Sequence, residues 1–401
     1  VLRRQAYRYR LIPTTTQATL LRQFLGCSRL VWNAVLAENE YRFEQGDPLP
    51  LKLGAFCERL NALKARLPFL RDVHSQPLQQ TLRDLARAYQ SAFDPKVASE
   101  IPAFKKKRNG GGFRLPQSFK VERSGVYLPK IGWVAFRFSK RTSKRKVEGT
   151  VKNVTVRHEA GHWFVSLQVE RDVVEPVHPN LAAEIGVDCG IARFAALSDG
   201  TFFDGASAFK KHKRRLATLQ RRLSSKVKFS ANWKKIKAHI TAIHSRIANI
   251  RRDQLHKASA TISKNHAVVV LEDLAIKNMS ASAKGTIEEP GTNVAAKSGL
   301  NRRILDQGWG EFRRQLGYKL MWNGGTLLLI DPRNTSRTCN ACGHVSAENR
   351  KTQAVFACVE CGHAANADTN AAKNTLGRAG LARIACGDSQ ESTKQEALCI
   401  V

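Results

Sequence analysis

Four cysteines constrain this chain more tightly than any other feature. They stand as Cys339-x-x-Cys342 and Cys358-x-x-Cys361, with fifteen residues between the two pairs. Each Cys-x-x-Cys turn lets two thiolates reach one tetrahedral ion, and the glycine after each pair, Gly343 or Gly362, suits a tight knuckle. The spacing predicts a zinc ribbon in which one Zn²⁺ sits on four protein ligands. With no open coordination position, that metal is expected to be structural. A redox pair or unmetallated thiols is the competing reading, and two pairs at this spacing weigh against it. The other five cysteines (Cys27, Cys57, Cys189, Cys386, Cys399) are scattered, as reduced cytosolic thiols are.

The chain has 401 residues, enough for roughly two to four domains, and a formal charge of +33 from 66 Lys and Arg against 33 Asp and Glu. Such an imbalance repels itself unless a polyanion neutralises it. Nucleic acid fits that role through phosphate contacts and counterion release. A membrane surface would need an amphipathic or lipid anchor as well, and none is visible. There is no run of about 18 apolar residues, and the first residues, VLRRQAYRYRLIP, lack the apolar core of a signal peptide. The expected setting is cytoplasmic and nucleoid-associated, with no membrane partner.

Along the chain, QAYRYRLI (5–12) alternates like a short strand before Pro13. TTTQATLLRQFLG follows with an N-cap threonine and helical spacing at Leu20, Leu21, Phe24 and Leu25. Leu78, Leu82, Leu85, Tyr89 and Phe93 mark a second helix. FKKKRNGGG (104–112) is a basic linker, after which strands resume, ending in KNVTVRHEAGHWFVSLQVE with a turn at Gly161. From 183 the pattern becomes α/β. EIGVDCGIARFAALSDGTFF reads as a buried hairpin with an Asp-Gly turn, and HAVVVLEDL and TLLLID as short buried strands. Residues 209–257 have a helical pattern with 16 Lys or Arg and one acid, Asp253. The tail after about 378 is small and polar, and disorder is expected there.

Three acids deserve chemistry. Asp188 lies within the apolar IGVDCGI, Glu272 ends VVVLE, and Asp368 opens the Ala/Asn-rich NADTNAAKN. Singly, Asp188 and Glu272 read equally as satisfied core acids at strand ends, and Asp368 as a helix-dipole partner. Together they make an Asp–Glu–Asp set on two strands and a helix, which two-metal phosphodiester cleavage requires. Asp273 competes with Glu272, but strand alternation points the two in opposite directions, so only one can face the site. The basic run is expected to bind backbone phosphates, because a single acid leaves its cations unpaired. Candidate contacts are Lys105, Lys106, Lys107 and Arg108 in the linker, then Lys210, Lys211, Lys213, Arg214, Arg221, Arg222, Lys234 and Lys235. Trp133, Trp163, Trp233 and Trp309 are candidates for base stacking, with core packing the commoner role; His74, His158 and His162 read as packing or surface residues.

Several of these segments, taken in order from 5 to 376, resemble TnpB, the transposon-encoded RNA-guided DNA endonuclease family regarded as ancestral to type V CRISPR effectors. The likeness rests on YRYRLIPTTTQATLLRQFLGCSRLVWNAVL, FKKKRNGGGFRLPQ, IGVDCGIARFAALSDG, HAVVVLEDLAIKNM, SGLNRRILDQGWGEFRRQL, NTSRTCNACGH, FACVECGH and NADTNAAKN. It implies an α+β multidomain protein. An oligonucleotide-binding β-barrel, or wedge, would take 1–12 and 113–178, with a helical recognition insertion and linker at 13–112. A RuvC-like, RNase H-type nuclease would take 179–330 and 364–378, with the ribbon, as target-nucleic-acid-binding domain, at 331–363 and a disordered 379–401. The resemblance puts the catalytic acids on Asp188, Glu272 and Asp368, holding two Mg²⁺, and the zinc ligands on Cys339, Cys342, Cys358 and Cys361. Two departures are visible: Cys189 follows the first acid where Leu or Val is common, and Asn366 and Ala367 stand where an acid and an Arg usually precede the last Asp.

The implied activity is DNA cleavage guided by RNA from the transposon end, at double-stranded targets beside a short motif, by a monomer on one guide RNA. Residues 280–312 are a candidate lid over the site. The alternatives are a compact type V CRISPR effector, an RNA-guided repressor, which the intact acids disfavour, and a DDE-type transposase, which the N-terminal half and the ribbon position disfavour.

Overall fold

In the computed structural model the described residues are 1–97, 99–107, 110–137 and 147–385, the last five as backbone only. Arg108, Cys386, Cys399 and the part of the expected tail from 386 lie outside them. The chain divides into two compact units with the break after Val174, four residues before the expected boundary at 178.

The first unit opens with strand β1 (Leu2–Ile12), then helices α1 (Thr15–Glu44), α2 (Leu53–Arg66) and α3 (Ser75–Phe93). Six strands follow: β2 (Gly111–Leu115), β3 (Lys120–Val121), β4 (Gly125–Leu128), β5 (Gly132–Arg137), β6 (Thr150–Glu159) and β7 (His162–Asp172). All pair antiparallel in the order β2-β6-β7-β1-β5-β4-β3, so the first strand ends in the middle of a sheet completed more than a hundred residues later. The β6–β7 turn is Ala160-Gly161, both at positive φ as a tight two-residue hairpin requires. Thr14 starts α1 with a capping box: its hydroxyl accepts from the Gln17 amide, and the Gln17 side chain accepts from the Thr14 amide. Apolar residues at helical spacing (Leu21, Phe24, Val31, Val35 on α1; Leu78, Leu82, Leu85 on α3) share one core with Val134, Val154 and Val165 of the sheet.

The second unit contains β8 (Glu184–Asp188), β9 (Ala195–Leu197), β10 (Phe202–Phe203), α4 (Ala208–Ser224), α5 (Ala231–Asn265) and β11 (Val268–Glu272). It continues with α6 (Ile276–Met279), α7 (Val294–Gln307), α8 (Trp309–Asn323), β12 (Thr326–Ile330), β13 (Val355–Ala357), β14 (Ala364–Asn366) and α9 (Ala367–Ala385). The main sheet runs β10-β9-β8-β11-β12, with β8, β11 and β12 parallel and β9 and β10 antiparallel. Alternation sorts β11 to two faces. Val269 and Leu271 join the cluster of α5 and α8, built on Leu255, Ile262, Phe312 and Leu316. Val268 and Val270 meet Leu376 and Ala379 of α9. A buried sheet between helices explains why these strands are short continuous apolar runs. The last helix runs to Ala385, past the expected end at 378, and the candidate lid segment holds α7.

Candidate active site and zinc ribbon

Two of the acids end neighbouring strands. β8 and β11 are parallel with Val187 beside Leu271, so Asp188 and Glu272 emerge together at the carboxyl ends of two central strands. Asp368 is the second residue of α9, which lies across β8. That approach depends on Gly186, where an added Cβ would collide with the Ala372 carbonyl and the Leu376 amide. Alternation also separates Glu272 from Asp273. Glu272 is 7% exposed, whereas Asp273 is exposed and paired with Arg313.

Glu272 and Asp368 both act on Asp188. Burial, then Glu272 and Asp368, push the Asp188 pKa up to about 7, and Arg350 opposes this. Burial also raises Glu272, against a hydrogen bond from Thr335 and the charge of Arg378. Thr335 Oγ1 donates to Glu272 Oε1 at 2.5 Å, and Arg350 Nη2 lies 3.2 Å from Asp368 Oδ1. Neighbouring carboxylates with few cations are the kind of oxygen donor that magnesium prefers, so the chemistry of the donor set is compatible with that ion. Asn366 takes another part: its Oδ1 accepts from the amides of Asp368 and Thr369, capping α9, while Ala367 is buried beside Cys339.

The four cysteines gather as their spacing predicts, with all donor sulfurs within 4.8 Å of one another. Sγ of Cys339 is 3.7 Å from that of Cys361, and Sγ of Cys342 is 3.6 Å from that of Cys358. A tetrahedron with Zn–S near 2.3 Å needs sulfurs about 3.8 Å apart, so zinc fits. The knuckles repeat one geometry. The Gly343 amide donates to the Cys339 carbonyl and the Gly362 amide to the Cys358 carbonyl, both glycines having positive φ.

A strap joins ribbon to acids. Asn370, Asn374 and Arg378 recur every fourth residue on one side of α9. Asn374 Nδ2 donates to the carbonyls of Thr335 and Thr338, and Asn370 Nδ2 to that of Thr338, while Asn370 Oδ1 accepts from the Asn340 amide. Arg378 donates to the carbonyls of Asp331 and Arg333. Thr335, Arg350, Asn370, Asn374 and Arg378 were not singled out by the sequence reading. The polar repeat at 370, 374 and 378 in an alanine-rich helix was the available signal.

Of the phosphate candidates, Lys106, Lys107, Lys210, Lys211, Lys213, Arg214, Arg221, Arg222, Lys234 and Lys235 are exposed, and none is ion-paired among the described residues. Lys105 is exposed as a residue, but its ammonium is otherwise engaged. Its Nζ lies 3.4 Å from the Trp32 ring centroid, its backbone exchanges two hydrogen bonds with the Asn33 side chain, and partial desolvation of the ammonium draws its pKa down to about 8. Trp163 and Trp309 are buried, Trp133 is 43% exposed and Trp233 is half-buried. His74 caps α3, His158 lies against Trp163, and His162 bonds Arg10.

Comparison with known proteins gives three family matches. The OrfB_IS605 model, described as a probable transposase, matches 164–283. The Cas12f1-like TNB domain matches 309–375, covering α8, β12 and the ribbon. A model described as a helix-turn-helix domain matches 3–47, which here is one strand and one continuous helix. InsQ of Escherichia coli (strain K12), named as a candidate RNA-guided DNA endonuclease, is 48% identical over 97% of this chain and 96% of its own. A Streptomyces pristinaespiralis protein with the same kind of name is 35% identical over 96% and 91%. The protein of a solved Cas12f1-sgRNA-target DNA complex shares the fold, with a TM-score of 0.53 over 94% of this chain and 98% of that one at 14% identity. No helix among the described residues is long and apolar enough to cross a membrane. The chain belongs to the TnpB family of transposon-encoded RNA-guided DNA endonucleases.

Proposed function

We infer that this chain cleaves DNA at sites chosen by a guide RNA, using Asp188, Glu272 and Asp368 in a RuvC-like site. The observation that carries the reading is the convergence of those three acids from two adjacent strand ends and one helix. The acids would hold two magnesium ions, which when bound supply an activated water and neutralise charge at the leaving oxygen. The chain's own work is to place those carboxylates. The sheet fixes Asp188 and Glu272, Gly186 lets α9 carry Asp368 over them, and Thr335 and Arg350 orient individual oxygens. Asp188 and Asp368 keep partial exposure, which leaves a face for a DNA strand.

The remaining parts follow the family. The seven-stranded sheet and helices of the first unit would form the wedge barrel and recognition insertion, holding guide RNA and reading a short motif beside the target. Pairing between guide and target would read the rest, as in related guided nucleases. The guide would come from the transposon end, one RNA per protein monomer, and 280–312 would cover the site. The test is cleavage of a plasmid library with a randomised flanking motif, by protein copurified with RNA from its own locus, in Mg²⁺. Cuts beside one enriched motif that vanish on ribonuclease treatment are expected. Strand joining without RNA would instead support the transposase reading, and guided binding without cutting the repressor.

A further inference from the structure

Helices α4 and α5 form a hairpin whose turn, residues 225–230, has an unusual surface. The hairpin is held by Leu216, Ile243 and Ile247. Between Asp204 and Asp253 the sequence contains no acid. At the turn Val227 is 80% and Phe229 63% exposed. Phe229 also has a φ of +70°, a left-handed backbone that a residue with a Cβ adopts only at a cost. Ser230 then caps α5, its hydroxyl accepting from the Trp233 amide. The Phe229 and Trp233 rings lie 5.4 Å apart at 59°. Lys228 Nζ is 5.5 Å from the Phe229 centroid and Lys237 Nζ 4.6 Å from that of Trp233.

A helix-start staple, in which an apolar residue before the cap packs on the first turn, accounts for the contact between the rings. It does not account for a phenylalanine left mostly in water on a disfavoured backbone. Nor does it explain lysines around the rings with no ion pair among the described residues. An aromatic face bordered by cations is what an unpaired nucleobase stacks on, its neighbouring phosphates meeting the lysines.

We propose that the tip of the α4–α5 hairpin is a stacking site for an unpaired nucleobase, with Phe229 as the platform, Trp233 bracing it, and Lys226, Lys228 and Lys237 facing the adjoining phosphates. The site deepens the guided-nuclease reading and rests on it for a polynucleotide with unpaired bases, whether a loop of the RNA or a separated DNA strand.

Phe229→Gly tests this cleanly, because glycine relieves the left-handed strain while removing the ring. Fluorescence anisotropy with the full chain would use labelled oligouridine and oligothymidine of roughly 20 nucleotides and a blunt DNA duplex of the same length. Phe229→Gly should keep the parent's melting temperature and duplex affinity. Its affinity for single strands should fall roughly five- to 150-fold, with Phe229→Tyr restoring it. A loss confined to oligouridine would name RNA as the source, and one confined to oligothymidine would name the DNA strand. Unchanged single-strand affinity, or a lowered melting temperature with no selective loss, would overturn the tip site while leaving the nuclease reading intact. A parent chain that binds none of the probes would overturn both.

Discussion

Asp188 ends β8 against burial, Glu272 and Asp368, and its pKa of about 7 stands above the 3.8 of an ordinary aspartate. Between about pH 4 and 7 the native metal-free protein therefore holds a proton that the unfolded chain has released. Stability falls as pH rises through that window, and the cost is fully present above it. Asp188→Asn cannot ionise. Without divalent metal it should melt above the parent at pH 8, by a margin that shrinks as the pH approaches 4; scanning fluorimetry across that range checks this, and an equal margin throughout would remove the electrostatic cause. Thr335→Val takes the donor from Glu272 while keeping the shape of the side chain. Calorimetric Mn²⁺ titration should show affinity at the acids reduced roughly ten- to 100-fold. At this scale much was legible. Alternation said that only one of Glu272 and Asp273 can face the site, and the family resemblance named Glu272. Thr335 was not, since its partner lies 63 residues away and nothing local marks the contact.

The α9 helix does at the scale of elements what Asp188 does at the scale of residues. Its small residues Ala371 and Ala372 are fully buried, and its approach to β8 depends on the bare Gly186. Gly186→Ala should lower stability by about 1–3 kcal/mol through overpacking, seen as a reduced denaturant midpoint, and should abolish cleavage by displacing Asp368. The strap of Asn370, Asn374 and Arg378 ties the first knuckle to the same helix. Removing zinc by chelation should therefore reach the acids. Hydrogen exchange should quicken at 331–340 and at the start of α9, and Mn²⁺ affinity at the carboxylates should fall; unchanged α9 exchange would mean the ribbon stands alone. Cysteine spacing announced the ribbon because metal ligation needs local geometry. The strap was missed because buried polar side chains in an Ala/Asn-rich helix look, one at a time, like ordinary surface residues.

Across the whole molecule, 66 Lys and Arg against 33 Asp and Glu leave a charge of +33. Lys210, Lys211, Lys213 and Arg214 crowd the start of α4 with exposed side chains. Changing all four to Gln should lower RNA affinity and reduce the slope of log K against log salt by about three, roughly 0.7 for each of the four lost phosphate contacts. Short buried strands and basic helices were legible because hydrophobic period and charge are sequence properties. The sheet order of the first unit was not, because β1 pairs with β7 across more than 150 residues. The central claim is that Asp188, Glu272 and Asp368 form one cation-dependent cutting site served by bound RNA. Single-turnover cleavage of a matched plasmid by the RNA-loaded chain, compared with Asp188→Asn, Glu272→Gln and Asp368→Asn, tests it most directly. The account predicts that each variant retains RNA and binds target yet does not cut, and cutting at the parent rate by any one of them would contradict it.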